Sequence, residues 1–366
     1  MLVTFELKHI FPHSELFITA TYKEEKWGLW LYVTSTPVIV LAGIIGNTLT
    51  LVVMKSKPLR HKSYSLYLCA LSVFDTLTLI KTLVYAVDTY ILDLTDSPSL
   101  FHNFTNTTCK LYEFTTNIIS LMSSWLIVLM AIERVLAVCF PFKKVVIRKQ
   151  SGAALAILIL FVCVSFSQSF RIVMIEHISY NRGENETVYA CASGEPYRKI
   201  YTDLYVYFNS WTLIFLLPVI IIVASNTLVL YQIISVRKEV IRQESDTRFN
   251  RALRRKHRST YMLLVVSFFY ILTLLPLYIL QMITQISINH ASLDFARDVY
   301  YTLKPYVWLC ESIALLNYSM NFFIYVLSGK SFRLELRKIF RKQKSQKRNV
   351  TARSTREEFF RFGMTT

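Results

Sequence analysis

The chain lacks the patterns that mark most enzymes and carriers. There is no His-Glu-x-x-His and no Gly-x-Ser-x-Gly. The 7 histidines (His9, His13, His61, His102, His177, His257 and His290) all lie outside the long apolar stretches or at their ends. No cluster of His with acids is therefore expected to serve metal or acid–base chemistry, and a membrane enzyme is disfavoured. Secondary transporters show internal repeats with interrupted helices at matching places, and no such repeat is seen. Short alternating segments, the mark of a membrane barrel, are missing too. Acid is scarce, with 24 Asp and Glu against 41 Lys and Arg, a formal net charge of +17. Such a surplus suits nucleic acid when it forms a basic face on a soluble domain, and no such face exists here. No strong signal peptide opens the chain, because Glu6, Lys8 and Pro12 interrupt any apolar core near the start.

What is present is apolar residue in long runs. Hydrophobic residues make up 53% of the 366, and polar ones are gathered into blocks between stretches of roughly 20 residues or more, about one hydrocarbon crossing each. Seven such stretches run at about 31–54, 64–91, 110–139, 151–174, 204–235, 260–285 and 300–327. Lipid offers backbone N–H and C=O groups no partner, so each should be a helix. The expected fold is an all-α membrane protein, a bundle of seven transmembrane helices. Its parts would be an extracellular segment 1–30, the membrane domain 31–328 and a cytoplasmic segment 329–366.

Charge placement orients the bundle. Of the 41 Lys and Arg, 30 fall in 55–62, 134–149, 237–258 and 330–361, which share one side if the helices alternate. Cytosolic loops carry such an excess, so the N-terminus is expected outside and the C-terminus in the cytosol, at the plasma membrane. On that topology only Cys109 and Cys191 of the 6 cysteines lie in extracellular segments, where they should pair. The sequons at Asn103, Asn106 and Asn185 also fall outside, whereas that at Asn349 falls in the cytosolic tail and should stay bare. After Gly329, Phe332, Leu336, Ile339 and Phe340 recur at helical spacing among Lys and Arg, which predicts an amphipathic helix on the inner leaflet. No Cys follows, so basic residues rather than a palmitoyl chain must hold it to membrane lipids.

Polar residues within the stretches mark function or tight interhelical bonding. Asn317 and Asn321 share a helical face. If faces converge, Asp75, Ser123, Asn317 and Asn321 form an oxygen-lined pocket, holding either a sodium ion or waters, or only interhelical hydrogen bonds. No other cofactor is expected. Pro276 should kink the sixth helix. Tyr270, Leu274, Tyr278, Gln281 and Gln285 form one face of it that grows more polar outward, as do Ser123, Ser120, Thr116 and Glu113 in the third. Faces of this kind suit a cavity open to the outside. Its candidate ligand-binding residues are Lys81, Tyr85, Glu113, Thr116, Tyr278, Gln281, Trp308 and Glu311. Lys81 and Glu311 either pair with each other or both grip a charged ligand.

Read in order, the chain resembles the rhodopsin-like (class A) G-protein-coupled receptors. The residues are Gly46-Asn47, Leu71-Ser-Val-Phe-Asp75, Cys109, Glu133-Arg134-Val135, Pro218, Pro276 and Asn321-Phe-Phe-Ile-Tyr325. The resemblance covers about 30–340. It implies an extracellular ligand and coupling to heterotrimeric G proteins through Glu133, Arg134 and Tyr325, with arrestin and receptor kinases as further partners. It also implies that an amine-binding Asp would stand where Thr116 stands, which argues against a monoamine.

Two short strands, about 176–180 and 187–192, around Asn181-Arg-Gly183 are similar to the hairpin of peptide receptors. With Leu327-Ser-Gly-Lys330, the pattern is similar to invertebrate FMRFamide-like neuropeptide receptors, so a peptide ligand is expected. The alternatives are a lipid or other non-amine small molecule, or a receptor-like protein that binds without coupling. The chain departs from the family at Phe322 (usually Pro), Leu274 (usually Trp), Tyr270 (usually Phe), Asn226 (usually Tyr) and Phe161 (near a usual Trp). Lys256 stands where some relatives place an acid to hold Arg134.

Overall fold

The computed structural model describes residues 26–94, 99–140, 150–181, 187–242, 247–290, 292–330 and 332–341. Asn185, Asn349 and the hairpin turn at 182–186 lie outside them. Among the described residues, six helices are long and apolar enough to cross a membrane, and a bent pair makes a seventh span. They are α1 (Trp27–Met54), α2 (Ser63–Leu94), α3 (Asn106–Cys139), α4 (Gln150–Met174), α5 (Glu195–Ser235, helical on to Arg242), α6 (Thr247–His290) and α7. In α7, Leu293–Ser319 is followed by Asn321–Ser328. A short helix, α8, covers 332–341. The protein is therefore a multi-pass membrane protein. The fifth and sixth helices run further than their apolar stretches, to Arg242 and from Thr247, so most of the basic segment 237–258 is helix rather than loop.

The pattern of burial is inverted relative to a soluble domain. Val38, Leu41, Leu158, Ile220 and Phe268 are exposed and would face lipid, while Asn47, Asp75, Ser123, Asn317 and Asn321 are buried. Lipid tails are as apolar as leucine, so close packing and interhelical hydrogen bonds hold the helices together. A Cβ at Gly43 would fall on Leu79 and Ser319, so glycine there lets α1 approach α2 and α7. The third helix is central, with 61% of its apolar window buried against 17% for α4. It packs on α2, α4 and α5, while α7 packs on α1 and α6.

Two helices depart from the regular ladder, and side chains repair both. The first is α5, which is π-helical over Asp203–Leu216 and meets Pro218 directly afterwards. Pro218 has no N–H, so the carbonyls four and five residues earlier lose a donor. Tyr270 of α6 donates to the Ile214 carbonyl at 2.8 Å, and Trp125 Nε1 of α3 donates to the Leu213 carbonyl at 2.9 Å. The hydroxyl that distinguishes Tyr270 from phenylalanine thus bonds α6 to α5.

The second is α7, bent by 53° at Met320 although Phe322 stands in place of proline. Asn321 Nδ2 donates to the Asn317 carbonyl at 3.2 Å, so a side chain intrudes on the ladder where the helix turns. Phe322 packs edge-on to Phe332. Pro276 lies inside the continuous helix α6.

Removing the Tyr270 hydroxyl leaves a buried carbonyl without its donor, which costs about 1–3 kcal/mol. Tyr270→Phe and Trp125→Phe should each lower the thermal midpoint of the purified protein in detergent. Unchanged midpoints in both would mean that α5 satisfies these carbonyls by itself.

Candidate functional site

One end of the bundle is closed by a hairpin. Strands β1 (Ile175–Asn181) and β2 (Thr187–Ser193) pair antiparallel, with His177 opposite Cys191, within a residue of the expected ranges. Cys191 is bridged to Cys109 at the start of α3, with 5.2 Å between their Cα atoms. Asn106 Oδ1 accepts from the His177 N–H at 2.6 Å, a second tie between hairpin and α3. Asp88 anchors the neighbouring loop, accepting from Ser99 Oγ at 2.9 Å and the Leu100 N–H at 2.7 Å. Asn103 and Asn106 are both exposed at this end.

Beneath the hairpin lies a buried charge cluster. Arg171, at the hairpin end of α4, is fully buried. Its Nη1 meets Glu113 Oε2 of α3 at 3.3 Å and the Tyr201 hydroxyl at 2.6 Å, while its Nε donates to Gln168 at 3.1 Å. The guanidinium also lies 4.8–5.6 Å from the ring centroids of Phe170, Tyr201 and Tyr205. Glu113 further accepts from Asn117 Nδ2 at 3.2 Å. Such burial suits arginine, whose planar and weakly hydrated head group stacks on rings while it bonds at its edge. Lys81 of α2 donates to Ser120 of α3 at 2.7 Å, so it turns towards the third helix. Glu311 is buried on α7.

The remaining candidates do not gather at one place. Tyr85 and Trp308 pack with Leu29, Tyr32 and Leu79 between α1, α2 and α7, and the Trp308 ring lies 4.9 Å from that of Tyr32. Tyr278 stacks on Phe215 of α5 at 4.7 Å. Thr116 turns its hydroxyl to the Tyr112 carbonyl of its own helix at 2.8 Å. Gln281 is buried on α6.

Midway along the bundle, the converging polar faces meet. Asp75 accepts from Ser123 Oγ through one oxygen and from Asn321 Nδ2 at 2.7 Å through the other. The Asn317 amide, equally buried, has no hydrogen-bond partner at either atom among the described residues, nor has Asn321 Oδ1. A carboxylate beside unmatched oxygens and an unmatched N–H fits a small hard cation or ordered waters.

At the opposite end, Arg134 pairs with Glu133, and the guanidinium lies 5.3 Å over the Tyr64 ring. Glu133 also accepts from Ser63 Oγ at 3.0 Å. Both contacts run to the start of α2. The Lys256 side chain lies outside what the structure describes. Tyr325 is fully buried, its ring 5.8 Å from that of Phe332.

Sequence reasoning placed Glu113 and Lys81 inside the bundle but missed their neighbours. Arg171 falls in the last turn of an apolar stretch, where an arginine is normally read as reaching for the membrane surface. Its partner is 58 residues away, so no local spacing points to it. Asn209, buried in the π-helical part of α5 with neither amide atom hydrogen-bonded among the described residues, was missed as well. A polar residue in the fifth apolar stretch was its only signal.

Comparison with known proteins agrees with this arrangement. A family model described as "7 transmembrane receptor (rhodopsin family)" matches residues 46–325, more than half of the chain. The growth hormone secretagogue receptor type 1 of Oryctolagus cuniculus is 28% identical over 319 residues, covering 84% of this chain and 80% of its own length. The FMRFamide receptor of Drosophila melanogaster is 22% identical over 323 residues, covering 86% and 54% respectively. Neuropeptide FF receptor 1 of Homo sapiens is 23% identical over 341 residues, covering 90% and 74%.

Breaking a buried ion pair by removing one partner costs about 3–5 kcal/mol, whereas replacing both by apolar groups is often neutral. Glu113→Leu and Arg171→Met should therefore each sharply reduce folded protein at the cell surface, and the double variant should recover part of the loss. Equal surface levels in wild type and both single variants would show that the pair does not hold α3 to α4.

Proposed function

The chain belongs to the rhodopsin family of seven-transmembrane receptors, and from that premise we propose that it is a G-protein-coupled receptor activated by an extracellular peptide. One observation carries the peptide part of this reading. Lys81 and Glu311, charges of opposite sign, both sit on the hairpin side of the Asp75–Asn321 contact, and Lys81 donates to Ser120 of α3. A peptide brings both groups such a pair can receive, a cationic amine or guanidinium and a carbonyl or carboxylate acceptor. A monoamine brings only the first. Thr116, in the place an amine-binding acid would take, is bonded within its own helix. Two of the relatives carry a peptide in their names, FMRFamide and neuropeptide FF. Glu113 meets Arg171, and Glu311, buried on α7, is the acid assigned to a cationic group of the ligand.

The N-terminus faces outward and the Arg134 end faces the cytosol, since the blocks rich in Lys and Arg flank that end. There Glu133, Arg134 and Tyr325 meet the G protein, with arrestin and receptor kinases using the same face. Asn103 and Asn106 carry glycans outside, and the protein resides in the plasma membrane. Asp75, Ser123, Asn317 and Asn321 hold a sodium ion, which supplies a counter-charge to the carboxylate. Their part is to fix its position between α2, α3 and α7.

Screening peptide pools against cells expressing the chain, with nucleotide exchange on the G protein as readout, tests the assignment. A charge-assisted hydrogen bond is worth roughly 1.5–3 kcal/mol, or about 10- to 100-fold in potency. Glu311→Gln and Lys81→Gln should each shift peptide potency by about that amount with little change in maximal response. A monoamine or lipid agonist, with potency unmoved in both variants, would end the peptide reading. A peptide that binds without driving exchange would favour a receptor that does not couple.

For the mid-bundle cluster, Asp75→Asn should abolish any dependence of agonist affinity on sodium and impair signalling at near-normal surface level. If sodium response and signalling are both unchanged, the cluster is a packing feature.

A further inference from the structure

The face of α8 turned to the bundle is filled. Phe332 is buried against Phe322 and Tyr325, and Leu336 and Ile339 pack on the core. Another face gathers cations. Lys330, Arg333 and Arg337 stand three and four residues apart, so they lie on one side of a helix, and with Leu334 they line a cavity of about 320 Å³. Among the described residues no carboxylate lines this cavity, and Glu335 pairs with Lys338 at 2.6 Å. Arg333 Nη1 donates to the carbonyls of Val326 and Leu327 at 2.8 and 2.6 Å, the last turn of α7. That fixes the guanidinium and leaves its other N–H groups for a second partner. Lys330 and Arg337 are exposed.

We propose that this cavity binds the phosphorylated headgroup of an anionic membrane lipid of the phosphoinositide class. Two features choose a lipid over a free anion. Leu327 is 79% exposed and Phe340 52%, with Phe323 and Leu334 also exposed, so the cations sit beside apolar surface that acyl chains would cover. The site also lies at the end of the last membrane span, at headgroup depth. Charge chooses the headgroup: three converging cations match a polyphosphate, whereas a singly charged lipid leaves two of them unmatched. Bound there, the lipid would hold the end of α7 and α8 together, one ring (Phe332) away from Tyr325. The proposal rests on the orientation given above only for which leaflet supplies the lipid.

Native mass spectrometry of the full-length protein in mixed micelles tests it directly. Phosphatidylinositol 4,5-bisphosphate, phosphatidylserine and soluble inositol trisphosphate would be offered separately. Lys330→Gln/Arg337→Gln is the variant of choice because it spares Arg333 and its carbonyl contacts. The bisphosphorylated lipid should give a stoichiometric adduct and phosphatidylserine little. Each cation removed should weaken the adduct about fivefold, so on the order of 25-fold for the pair, and Lys330→Arg/Arg337→Lys should retain it. Equal adducts in wild type and the Gln variant would overturn the site. So would equal retention of phosphatidylserine, which would mean surface charge alone, or competition by soluble inositol trisphosphate as strong as by the lipid, which would mean a free-anion site. None of these outcomes depends on the agonist or on G-protein coupling, so failure here leaves the receptor assignment untouched.

Discussion

Hydrocarbon has no hydrogen bond to give, and most of the internal architecture follows from that one constraint. A carbonyl that loses its ladder partner in water is rescued by solvent, whereas one inside a lipid-embedded bundle must be rescued by a neighbouring helix. Pro218 creates such a deficit in α5, and Tyr270 and Trp125 answer it from α6 and α3. The bend of α7 is met by Asn321 from within the helix, through the same amide that reaches Asp75. Each repair becomes a tie between helices, so irregular points of the backbone are also where the bundle is joined.

The constraint also shows what two of the departures from the family pattern do in this bundle. A phenylalanine in place of Tyr270 would fill similar volume but could not donate to Ile214. With Phe322 in place of proline, the bend persists because the Asn321 amide does the chemical work. Leu274, where a larger tryptophan is usual, is simply buried in the core.

Charge is governed by the same rule and divides the molecule into two unlike ends. At the hairpin end, the disulfide, the Asn106–His177 bond and the Arg171–Glu113 pair bind β1, β2, α3 and α4 into one unit. That unit closes the hairpin end of the bundle. At the other end, Arg134 pairs with its chain neighbour Glu133, and its guanidinium lies over the Tyr64 ring at the start of α2.

Apolar run length, the placement of Lys and Arg, and the positions of cysteines were enough to read the seven helices, the hairpin strands, the Cys109–Cys191 bridge and the convergence of Asp75, Ser123 and Asn321. Those features follow from local composition or from topology, because a lipid crossing has a set length and the helices must alternate in direction. The extension of α5 and α6 into the basic segment was not legible, since a polar helix and a polar loop look alike in composition. Nor were the partners inside the bundle. Nothing in the sequence chose Ser120 as a partner for Lys81, and Glu113 could have waited for a ligand rather than for Arg171. Such choices depend on the rotation of each helix about its axis and on its depth relative to its neighbours. Rotation and depth are set by the packing of all seven helices at once, so only the tertiary structure decides which buried charges meet.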